Sequence, residues 1–198
     1  QPADDGSGAQ PSGGYQADIG PEMRLIPPHP VLWSQAYSWR QMGSGSIGLS
    51  SEPCPVLGVR LERELTLDPA TGTLSVLQRL TNLAQREQAY CLWDRTLCNA
   101  GGFVLLPLSA RSRFPARWAL GKRNGRAWDY DGATPGHPNV KVIDGVLVRH
   151  SIGPEQKIGA DSDAGWSAYA WDRMLLVKYF PFDRRGSYTD GGLLVAHY

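Results

Sequence analysis

The sequence predicts an all-β protein, a sandwich of antiparallel sheets, and three features carry that prediction. Val59, Leu61, Leu65 and Leu67 alternate with Arg60, Glu62, Glu64 and Thr66, the period of two of a strand with one buried and one wet face. Asp144-Gly145 lies between two apolar runs, 140–143 and 146–150, as the turn of a hairpin does. No segment carries sustained helical periodicity with caps, which leaves sheet packed on sheet as the way to bury the apolar faces.

The elements follow in order. Residues 1–14 contain no large apolar side chain and are expected to form a disordered leader or linker. The segment 15–39 holds Pro21, Pro27, Pro28 and Pro30 among Trp33, Tyr37 and Trp39. Proline at that density predicts an irregular arm packed on the sheets. The Gly/Ser run 43–51 precedes an alternating strand and reads as a β-edge or loop. From Arg60 to Leu108 a β-meander is expected. Its first turn is Asp68-Pro69-Ala70-Thr71-Gly72, with Gly72 where positive φ is needed. The second turn is Asn82-Leu83-Ala84-Gln85, the third strand runs over 90–97, and the apolar run 101–108 follows. The stretch 117–138, broken by Gly, Asn, Asp and Pro around Trp118, Trp128 and Tyr130, reads as one long loop. A last hairpin turns at Asp172-Arg173, and 193–197 closes the chain. The expectation is one β-sandwich domain over 15–198.

Charge and composition exclude several classes. Twenty basic and 19 acidic residues give a net charge of +1, so nothing draws the chain generally to nucleic acid. No apolar stretch approaches the ~20 residues of a membrane-spanning helix. The three cysteines, Cys54, Cys91 and Cys98, form no CxxC or Cys/His cluster, so neither a metal site nor a cofactor is expected. They read as mostly buried thiols, with a disulfide through Cys54 left open. The absence of an initiator Met or an apolar signal core fits the processed N-terminus of an exported, periplasmic, lipid-anchored or extracellular protein. A trimmed boundary accounts for it equally.

Taken together, Leu65-Thr66-Leu67-Asp68-Pro69-Ala70-Thr71-Gly72-Thr73-Leu74, Leu80-Thr81-Asn82-Leu83, Trp93-Asp94-Arg95-Thr96 with 101–108, Lys157-Ile158-Gly159 with Gly165-Trp166, and Tyr188-Thr189-Asp190-Gly191-Gly192 resemble the galactose-mutarotase-like β-supersandwich proteins. The nearest resemblance is to their DUF4380 group. It covers roughly 15–198 and implies carbohydrate binding on the concave face of a large antiparallel sheet. In catalytic mutarotases it further implies a His acid and a carboxylate base. The early His motif of those enzymes has no match among His29, His137, His150 and His197. The late strand with the Glu base would fall beyond Tyr198, so the domain reads as incomplete at both ends.

Sugar binding needs aromatic faces against the CH side of a pyranose and polar partners for its hydroxyls. Seven Trp and eight Tyr meet the first need. The candidate ligand-binding residues are Trp93, Asp94, Arg95, Lys157, Trp166, Tyr169, Lys178 and Asp190. Alternation places Trp93 and Arg95 on one face and Asp94 and Thr96 on the other, and puts Lys178 with Met174, Leu176 and Phe180. Any one of these aromatics can instead be core, and Arg95 or Lys178 can be a structural ion-pair member. Three readings stand: a carbohydrate-binding sandwich, an aldose 1-epimerase-like or other sugar-modifying enzyme, and a structural exported domain. The enzyme reading predicts His150 converging with Glu155 or Asp190 in one cleft. At least two of Trp93, Trp128 and Trp166 exposed and facing one groove would favour the first two over the third.

Overall fold

A computed structural model describes residues 14–20, 29–124, 127–130, 137–153 and 156–197. The protein is built of antiparallel β-sheets, and its contacts divide it into two compact units, Gln1–Leu97 and Cys98–Tyr198.

In the first unit, β2 (Ser38–Gly43), β3 (Ser46–Ser50), β4 (Val59–Leu67) and β5 (Leu74–Asn82) form a four-stranded sheet in sequence order. The alternation of β4 holds over its first half and fades toward Leu67, which is exposed. Val59 and Leu61 are buried, and they share a core with Leu32, Cys54, Leu57 and, from β1 (Gly14–Gly20), Ala17 and Ile19. The turn at Asp68 is closed by Gly72 N–H donating to Asp68 O at 2.8 Å, and Gly72 adopts φ 69°. The third limb departs from the meander, because β6 (Cys91–Leu97) pairs with β1 rather than β5. Asn82 accepts from Ala84 N–H and donates to Arg86 O, an Asx turn that opens an irregular connection in place of a tight hairpin. The arm over 15–39 therefore contributes a strand, β1. Its prolines cluster after Gly20, which leaves Tyr15, Ala17 and Ile19 able to alternate into a strand. Pro30 opens the single turn α1 (Pro30–Trp33), where its missing N–H costs nothing.

In the second unit, two sheets face each other. One has the order β10 (Val140–Ile143), β11 (Val146–His150), β7 (Phe103–Pro107), β13 (Trp166–Trp171), β14 (Met174–Tyr179). The other has the order β15 (Val195–His197), β12 (Lys157–Ala160), β8 (Ala119–Asn124), β9 (Ala127–Tyr130). Val104, Leu106 and Leu147 from the first pack on Leu120, Ile158 and Ala160 from the second, with Trp118 between them. The predicted hairpins are present. Asp144 and Gly145 take φ 49° and 78°, the left-handed pair of a type I′ turn, and Asp172 takes φ 54°. The stretch read as one long loop contains the β8–β9 hairpin. Its small residues Ala119 and Gly121 hid a buried strand that must pass close to β12. Cys54 is buried, Cys91 half-buried and Cys98 exposed, and none is joined in a disulfide.

Candidate functional site

In the first unit, the inner face of the four-stranded sheet changes character along its length. Cross-strand register aligns Ser51, Leu61 and Leu80 in the apolar core, and the next row is Trp39, Leu49, Arg63 and Gln78. Arg63 thus continues the face of Val59 and Leu61 but carries a charge, so it needs polar company. Its Nη2 donates to Tyr37 Oη at 3.2 Å, and its guanidinium lies 4.9 Å from the centre of that ring. Tyr37 in turn donates to Leu32 O at 2.9 Å, which ties the arm to the sheet.

Across from this row, β1 and β6 pair Tyr15 with Thr96 and Ala17 with Asp94, so Tyr15 and Asp94 share the face that holds Ala17 and Ile19. Tyr15 Oη reaches Asp94 Oδ2 at 3.5 Å and interacts with the Gln78 amide. Burial first, and the Asp94 charge second, push the Tyr15 phenol up to about 12. Burial also raises the Tyr37 phenol, partly offset by Arg63. Both hydroxyls are therefore neutral donors at physiological pH. Arg63 Nε and Gln78 Oε1, one donor and one acceptor on directly paired residues, are buried without hydrogen-bond partners among the described residues. Trp39, at the strand edge of the same row, is 70% exposed. It lines a shallow depression of about 290 Å³ with Gln41, Ile47 and the Gly43–Ser46 turn.

The predicted residues divide between the two units. Asp94 lies in the cluster just described. Trp93 and Arg95 occupy the opposite face of β6, as alternation requires, with the guanidinium 5.6 Å from the Trp93 ring centre. In the second unit, Tyr169 points between the sheets. It accepts from Gly102 N–H at 3.0 Å and donates to Asn99 O. Trp166 is half-buried on the other face of β13, opposite Tyr179. Lys178 pairs across from Ser167, on the Tyr169 face. Lys157 is buried on β12. His150 stacks on Phe103 at 4.5 Å on the face away from the sandwich core. Glu155, the Asp190 side chain and the Trp128 side chain lie outside the described residues. The half-buried Trp93 and Trp166 thus sit in separate units, and among the described side chains the well exposed indole is Trp39.

Sequence reading missed a second polar cluster inside the sandwich. Arg149, 4% exposed, donates from Nη1 to Gln156 O and to His197 Nδ1, each at 3.0 Å. The His197 ring stacks on Tyr169 at 6.2 Å, and Gln156 Oε1 lies 2.7 Å from His137 Nε2. Burial and the adjacent Arg149 charge lower His197 to about 4, so it is neutral and its Nδ1 accepts. Strand alternation could have placed Arg149 on the Leu147 face; nothing in the sequence pairs it with His197, 48 residues away. Among the described residues no group of three His, Cys, Asp or Glu side chains is placed to hold a metal ion, and no helix is long and apolar enough to cross a membrane. Comparison with family models, curated proteins and solved structures finds no match to this chain.

Proposed function

We propose that this protein binds carbohydrate on the inner face of the β2–β5 sheet, with Trp39 as the stacking platform and Gln41, Tyr37, Arg63, Gln78, Tyr15 and Asp94 as the polar set behind it. The observation that carries the reading is the row Trp39–Arg63–Gln78. An indole exposed at 70% lies in register with a donor and an acceptor that have no hydrogen-bond partner among the described residues. A sugar hydroxyl both accepts and donates, so it is the complement of an Arg Nε–H beside a Gln carbonyl once these two buried side chains turn toward it. The apolar CH face of the same ring suits the indole. One carboxylate and one guanidinium in the set balance each other, which favours a neutral sugar over an acidic one.

The test is a titration with neutral and acidic hexoses and pentoses followed by tryptophan fluorescence, in the wild type, Trp39→Ala and Trp166→Ala. Saturable quenching by neutral sugars that is lost in Trp39→Ala and retained in Trp166→Ala supports the reading. No response at millimolar sugar, or a response that survives Trp39→Ala, overturns it.

A further inference from the structure

Among the described residues, strand β14 is an edge of the five-stranded sheet, bonded to β13 on one side only. Phe180 N–H donates to Gly165 O at 2.9 Å. By the alternation of an antiparallel ladder, the N–H and C=O groups of Tyr179, Val177 and Leu175 therefore point outward, away from β13. Apart from Lys178 the side chains along this edge are apolar, and all but the half-buried Val177 and Lys178 are exposed. Met174 and Leu175 are each 62% accessible, Leu176 42% and Tyr179 79%.

Sheet edges are ordinarily blunted by bulges, short length, proline or charge. The edge strand β2 carries a bulge between Gln41 and Gly43 and presents Arg40, and β10 is four residues long with Lys141 in it. Strand β14 pairs with β13 over six residues without a shift. It has no proline, and Lys178 is its one charge.

We propose that β14 pairs antiparallel with β14 of a second copy about a two-fold axis at Val177, joining the two five-stranded sheets. That register opposes Val177 to Val177 and Leu175 to Tyr179, so all three outward-pointing residues of the strand exchange hydrogen bonds. On the other face Leu176 meets Lys178 and Met174 meets the Phe180 ring, a favourable sulfur–aromatic contact. No like charges are directly opposed. A slip of one residue would present the amides that are bonded to β13. A two-fold axis at Leu176 would push the outer pairs into the turn at Arg173. The strand is thus its own complement, and a second copy is the partner it fits.

Sedimentation velocity from about 1 to about 100 μM, a range that spans weak to moderate dimers, reads the outcome. Expected is a concentration-dependent shift from the 21.7 kDa chain to twice that mass. Val177→Pro removes an outward N–H without touching the β13 ladder, as edge strands tolerate, and should hold the chain monomeric with its circular dichroism unchanged. Tyr179→Lys, at a well exposed position, provides the same reading should the proline variant misfold. Amide exchange at Leu175, Val177 and Tyr179 should slow as concentration rises. A wild type monomeric throughout, or a dimer that persists in a folded variant, overturns the proposal.

Discussion

Acid should weaken the sandwich of the second unit through a single side chain. His197 sits on β15 and accepts a hydrogen bond from Arg149 on β11, so this one contact joins the two facing sheets. Protonating its Nδ1 removes the acceptor and sets two cations 3.0 Å apart. The folded value is depressed, from 6.5 to about 4. The neutral-ring contribution is therefore fully present above pH 6.5 and is lost as the pH falls through 4. The shift corresponds to about 3 kcal/mol, and to roughly 2 kcal/mol once the ring's partial exposure is discounted. Urea unfolding followed by far-UV circular dichroism at about pH 7.5 and about pH 4 measures the loss. His197→Asn keeps an acceptor oxygen near the Nδ1 position but does not titrate. The wild type should lose roughly 2 kcal/mol more than this variant over that range. Equal losses in the two proteins would refute the role assigned to His197.

Two further outcomes follow from other contacts. Tyr15, raised to about 12, is favoured in its neutral form by folding, so its contribution is complete below pH 10 and disappears as the pH rises through 12. An ultraviolet tyrosine titration should show at least one phenol ionising late, and Tyr15→Phe should remove that late step. At Gly102, a Cβ would press on the Ala170 carbonyl oxygen and lie 2.7 Å from the Tyr169 ring. Gly102→Ala should therefore cost about 1–3 kcal/mol, read as a fall in melting temperature with Tyr169 fluorescence perturbed.

The local rules of strands and turns were legible in the residues. Val59 and Leu61 announced the buried face of β4, Asp144-Gly145 its hairpin, and Gly72 its turn, because each depends on neighbours in the chain. Pairing between distant strands was not legible. Nothing in Cys91–Leu97 says that it lies on Gly14–Gly20 and not on Leu74–Asn82, since alternation fixes a face and leaves the partner open. The β8–β9 hairpin was hidden because small residues in a tightly packed strand look like loop residues. The candidate site divides in the same way. Alternation could place Asp94 with Thr96 on one face of its strand, whereas Trp39 and Arg63 matter only because four strands bring them into one row with Gln78.

Nuclear magnetic resonance of the side-chain indole and amide groups during addition of a neutral hexose tests the sugar site most directly. The account predicts that the Trp39 indole N–H moves together with the Gln41 and Gln78 amides, saturably, while the Trp166 indole stays in place. Shifts confined to Trp166 and its neighbours, or none at millimolar sugar, would contradict it.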